Sequence, residues 1–225
     1  MLPYFYLMFQ WTERFQHQQD WITVIIILVF MICVHLYSNN KHQFKLLISL
    51  WKIKSYFNIY DKEKFTNPLN KFNLILTFIS LITFSLLVYF FYCKILLSTY
   101  GDISFFTFSF MLSSLIIFRY WILKLIFQYS SQLKLYHHMV FRSISFYGSI
   151  SLYALFIITF YYYIFYDNND LLFIVVTLIL CLVYLSHLTI YIGIVQKNPN
   201  SLVYLILYLC AFKIAPWLWL YKSIY

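Results

Sequence analysis

Residues 201–225 read SLVYLILYLCAFKIAPWLWLYKSIY, an apolar run with one lysine, Lys213, at its midpoint and one proline, Pro216, a turn later. About 20 predominantly apolar residues suffice for a helix to cross a hydrocarbon core of about 30 Å, and this run supplies them. Five similar runs precede it, near residues 171–191, 143–166, 105–127, 72–93 and 21–37; the last run itself spans about 201–221. The run at 72–93, FNLILTFISLITFSLLVYFFYC, carries no charge. The run at 21–37 is the shortest, and its 17 residues give roughly 25 Å at 1.5 Å per residue. The expected fold class is all-α: a polytopic membrane helix bundle of about six transmembrane helices, one domain over residues 21–225. Residues 1–20 precede it as an interfacial segment. They show no basic n-region and no small-residue cleavage site, so they are not read as a signal peptide.

Composition agrees. The chain is 63% hydrophobic and 10% charged, with mean hydropathy +0.77, whereas soluble domains carry about a quarter charged residues. The excess of Lys+Arg, 16 against 7 Asp+Glu, is not read as a nucleic-acid footprint. The basic residues lie between the apolar runs, where the positive-inside rule puts them. One side of the bundle receives 11 of them, the other receives Arg14, Lys94 and Lys222, and Arg119 and Lys213 fall within runs. That bias predicts an inner-membrane protein with both termini outside and its long links inside, facing an anionic leaflet. Only three glycines and four prolines punctuate the chain, which predicts long helices joined by short links. The four cysteines share no CxxC spacing and read as small buried hydrophobes.

Residues 38–71 form the largest polar segment. Lys41, Lys45, Ser49 and Lys52 follow 4-4-3 spacing and so share one helical face, with Phe44, Leu46, Leu47, Leu50, Trp51 and Ile53 covering much of the other. This pattern predicts an amphipathic helix lying in the membrane plane, with Lys41, Lys45 and Lys52 as candidate contacts to lipid headgroups. Asn67-Pro68 ends the segment. Residues 128–142, with Lys134, His137, His138 and Arg142, read as a second polar link. Ser145, Gly148, Ser149 and Ser151, and separately Ser109, Ser113 and Ser114, read as small-residue faces where another helix approaches closely.

Four residues within the runs make a candidate intramembrane polar site: Lys213, Pro216, Arg119 and His187. A lysine at a helix centre costs roughly 2.5–3.5 kcal/mol on insertion scales and should face the bundle interior or a wet cavity. Pro216 leaves the carbonyl of Phe212 without its helical donor, so a cation and a freed carbonyl stand a turn apart. Arg119, Lys124 and His187 fall in the half of the membrane nearer the basic side, with His137 and His138 just below. That arrangement suits a pocket for a phosphate or lipid headgroup; snorkelling and topology anchoring are the structural alternatives. No carboxylate lies within a run, which disfavours a cation or proton path. No HExxH, glycine-rich phosphate loop or Ser/His/Asp arrangement occurs, so the sequence predicts no catalytic residue, no metal and no cofactor.

Two blocks carry a resemblance. QDWITVIIILVFMICVHLY, followed by FNIYDKEKF and FNLILTFISLITFSLLVYFF, is one; LYLCAFKIAPWLWLYK near the end is the other. Together they resemble domain-of-unknown-function family 4271, integral membrane proteins of Bacteroidota, over nearly the whole chain. The family pattern has an acidic residue just before the Ile-x-Pro where this chain has Lys213. The resemblance implies fold and compartment and brings no activity with it.

The sequence leaves three functional readings. A non-enzymatic component that assembles with a protein partner in the inner membrane stands first. A transporter or lipid-handling protein for an anionic substrate, using Lys213 and Arg119, is the alternative. An intramembrane enzyme is the third. Membrane lipids, anionic ones above all, are the expected partners in each.

Overall fold

The computed structural model describes residues 20–49, 52–61, 66–68, 70–93, 104–129, 133–165 and 168–197. The sixth apolar run, with Lys213 and Pro216, and the interfacial segment up to residue 19 lie outside the described residues. Among the described residues there are seven helices and no strand: α1 Asp20–Asn39, α2 Lys41–Ile48, α3 Ile53–Tyr60, α4 Lys71–Phe91, α5 Phe105–Tyr129, α6 Leu133–Ile164 and α7 Asn169–Lys197. Five of them, α1, α4, α5, α6 and α7, are long and apolar enough to cross a membrane.

The five long helices alternate in direction, as their core contacts show. One cluster joins the start of α1 (Ile22, Ile26), the end of α4 (Leu86, Tyr89, Phe90), Phe105 of α5, the end of α6 (Ile158, Tyr161) and the start of α7 (Leu172, Val176). The other joins the opposite ends: Val29 and Leu36, Phe72 and Leu76, Leu123 and Phe127, Tyr136 and Phe141, Ile190 and Tyr191. Lys71, Lys124, Lys134 and Arg142 therefore gather at this second end, with Lys41, Lys45, Lys52 and Lys54 of the adjoining segment, while Asp20 and Asp170 sit at the first. An aromatic group of Trp21, Tyr89 and Phe105 marks the acidic end, with ring centroids 5.1–5.9 Å apart.

α4 and α6 form the centre. The small-residue face expected on α6 is buried: Ser145, Gly148, Ser149 and Ser151 all lie inside. A Cβ placed on Gly148 would fall 2.3 Å from Leu76 Cγ, so only glycine admits α4 at this distance. Two hydroxyls of α4 at this crossing are satisfied within their own helix. Ser80 and Thr83 donate to the carbonyls of Leu76 and Ile79, and Ser80 meets Ser151 at 3.2 Å. The serine face expected on α5 is looser, with Ser109 and Ser113 half-buried and Ser114 exposed.

Two expectations are corrected. The link at 128–142 is mostly helix, because α6 begins at Leu133 and carries Lys134, His138 and Arg142 at four-residue intervals along one face. The amphipathic segment is two short helices rather than one lying flat. α2 ends at Ser49, whose backbone is extended (φ −76°, ψ 92°), and α3 runs back antiparallel to it. The Gln43 amide donates to the Tyr56 hydroxyl at 3.3 Å, and His42 meets Tyr60 at 3.1 Å. Tertiary contacts account for the break. The last carbonyls of a helix need donors, and here Ser149 donates to Leu47 O at 3.1 Å while Tyr153 donates to Ile48 O. Ser149 and Tyr153 stand seven and eleven residues beyond Arg142 on α6, roughly 10–16 Å deeper. The end of α2 is thus packed against α6, where protein supplies the partners that lipid lacks.

Candidate functional site

Asp61 closes the hairpin. It follows the last turn of α3, its backbone N–H donating to Phe57 O at 2.8 Å. Its carboxylate reaches α6. Oδ1 accepts from His138 Nδ1 at 2.6 Å, and Oδ2 accepts from Arg142 Nε at 3.1 Å and Nη2 at 2.5 Å. The Asp61 and Arg142 side chains are only 10% and 17% exposed, so little water competes for them. The Arg142 guanidinium also lies over the Phe57 ring, 5.4 Å from its centroid. α7 makes room for it at Gly193, where an added Cβ would come within 3.1 Å of Nη1.

Beside this cluster is a cavity of about 320 Å³ lined by Thr66, Asn67, Lys134, His137 and His138. Its walls are a hydroxyl, an amide, an ammonium group and two imidazoles. His137 Nδ1 is buried and has no hydrogen-bond partner among the described residues. Asn73 of α4 stands behind this lining: its amide donates to Asn67 O at 2.9 Å and so holds the turn before the helix. Charge-assisted donors in a partly enclosed space suit an anion with several acceptor oxygens.

Arg119 and His187, expected together, do line one space with Tyr120, Tyr136, Ser143 and Tyr191. That space holds only about 30 Å³, close to the volume of a single water. His187 is buried, shares a hydrogen bond with the Tyr147 hydroxyl and stacks on Tyr191 at 5.9 Å. An anion of phosphate size has no room there. Lys124 is exposed and does not line this space. Lys41, Lys45 and Lys52 are all exposed, as headgroup contacts must be, but Lys41 and Lys45 lie on α2 whereas Lys52 caps the start of α3. Lys213 and Pro216 lie outside the described residues. Among the described residues no group of three or more His, Cys, Asp or Glu could hold a metal ion.

Sequence reasoning set His138 beside a phosphate pocket, named Lys134 and Arg142 only as parts of a polar link, and gave Asp61 no role; Lys134, His138 and Arg142 were not read as one face. The spacing of the last three was the available signal, since residues four apart share a helical face, and it was hidden by treating the stretch as a link. Nothing local marks Asp61, whose partners are 77 and 81 residues away.

Five apolar helices in antiparallel order around a small-residue crossing define an integral membrane helix bundle. The model of one family, described as Domain of unknown function (DUF4271), matches residues 22–224. The chain belongs to that family. No curated protein and no solved structure matches it.

Proposed function

We propose that this is an inner-membrane protein, with both termini outside, that binds a phosphate-bearing anion at its cytoplasmic end without covalent chemistry. The supporting observation is the cavity of Thr66, Asn67, Lys134, His137 and His138, set against an aspartate whose charge Arg142 already balances. Such a site serves lipid handling or anion transport. The reading relocates the anion from Arg119, whose neighbouring space is too small, to the helical face of Lys134 and His138. Assembly with a protein partner is the second reading. The face of α5 bearing Phe106, Phe110, Ile117 and Trp121 is exposed, but lipid covers such a face as readily as a partner helix would.

The test is a titration of purified protein with dimethyl phosphate and with short-chain phosphatidylglycerol. Saturable binding of at least one is expected. Hydrogen bonds to a charged group contribute about 1.5–3 kcal/mol, so Lys134→Ala should weaken affinity about tenfold or more. Absence of binding, or equal binding by the variant, contradicts the reading.

A further inference from the structure

The inference concerns how that site recognises its ligand, and it rests on the reading just given. We propose that Asp61 is a positioning residue for the cavity: it fixes the proton of His138 on Nδ1, so that Nε2 becomes a donor to a bound phosphate group only when the imidazole takes up a second proton.

A neutral imidazole has one donor and one acceptor nitrogen. An ionised carboxylate only accepts, so the 2.6 Å contact of Asp61 Oδ1 with Nδ1 assigns the ring proton to that nitrogen. The nitrogen left for the cavity is Nε2, which in the neutral ring presents a lone pair. A lone pair facing phosphate oxygens repels them; a proton there converts repulsion into a charge-assisted hydrogen bond. Binding and protonation then favour each other.

Asp61 is held firmly enough to impose this. Its second oxygen takes two Arg142 N–H groups, and its own backbone N–H is tied to Phe57 O. Among the described residues, the charged and titratable groups around His138 are Asp61 from α3, Arg142 and Lys134 on α6, and His137 beside it. Thr66 and Asn67, on the wall leading into α4, do not titrate. Arg142 offsets the Asp61 charge, so a protonated His138 adds its charge to that of Lys134 in the cavity. The ligand class is a phosphate group, whether of a lipid headgroup or of a soluble compound.

The test uses full-length protein in detergent at about pH 6 and about pH 8, a window in which imidazole changes charge. Dimethyl phosphate and short-chain phosphatidylglycerol are the probes, because a phosphodiester keeps one charge across that range. Binding of both points to a free phosphate group, and binding of the lipid alone to a headgroup held with its acyl chains. Wild type is expected to bind more tightly at the lower pH, by at most about tenfold per unit for one linked proton.

Asp61→Asn separates positioning from simple charge. Removing a negative charge beside the cavity should tighten anion binding on charge alone. Charge alone tightens binding equally at both pH values; the positioning role requires the gain at about pH 8, where the neutral ring is released to carry its proton on Nε2, and so a flattened pH dependence. His138→Gln should flatten it likewise, and Asp61→Asn added to His138→Gln should leave the pH dependence as His138→Gln alone has it, a comparison that also controls for loss of folding. Wild type binding neither probe at either pH overturns the cavity reading itself. Binding by wild type, with Asp61→Asn equal or tighter and equally pH-dependent, leaves the cavity standing and overturns the role of Asp61.

Discussion

Gly148→Leu is expected to prevent the bundle from assembling, and Gly148→Ala to weaken it measurably. The added Cβ would lie 2.3–2.5 Å from three carbons of Leu76, a side chain with no exposed surface. Something must move, and the neighbours that would move are α4 and α6, the pair that brings both ends of the core together. Overpacking of this kind costs typically about 1–3 kcal/mol, and a larger side chain costs more. Thermal unfolding in detergent reads the effect directly. The compensating pair Gly148→Ala with Leu76→Ala should recover part of the loss, because the smaller residue vacates the space the methyl needs. A Gly148→Ala midpoint equal to that of wild type would mean that the helices do not cross here.

The second large effect is expected at Arg142. Removing one partner of a buried ion pair leaves the other charge without compensation, at a cost of about 3–5 kcal/mol. Arg142→Ala takes two N–H donors from Asp61 and removes the group stacked over Phe57. Because Asp61 is the tie between the end of α3 and the start of α6, the loss should appear first as release of the hairpin. Deuterium exchange over residues 52–61 should rise well before the long helices are affected. Arg142→Lys should fall between, since a lysine keeps the charge but cannot supply Nε and Nη2 together to one oxygen. Unchanged exchange in Arg142→Ala would show that the Asp61–Arg142 pair does not hold the hairpin.

The long helices were legible because length and apolarity suffice to mark them: residues 72–93 as read and Lys71–Phe91 as found differ by one residue at the start and two at the end. Gly148 and its serines were legible as well, since small residues in a span point to close approach. The hairpin was not. Residues 49–52 read Ser-Leu-Trp-Lys, with neither glycine nor proline, and the break there is set by donors on Ser149 and Tyr153, about a hundred positions away. The site was half legible. Arg119 and His187 line one space, but nothing in the pattern gave the volume between them. Lys134, His138 and Arg142 carried a helical spacing that their polarity disguised, and Asp61 acquires its meaning only from the fold.

The most direct measurement is native mass spectrometry of the protein released gently from its own membrane. A phosphate-bearing lipid or solute retained by wild type and lost in Lys134→Ala is the result expected of an anion site at this end of the bundle. A stoichiometric protein partner with no such ligand, unchanged in Lys134→Ala, would contradict it and make assembly the function.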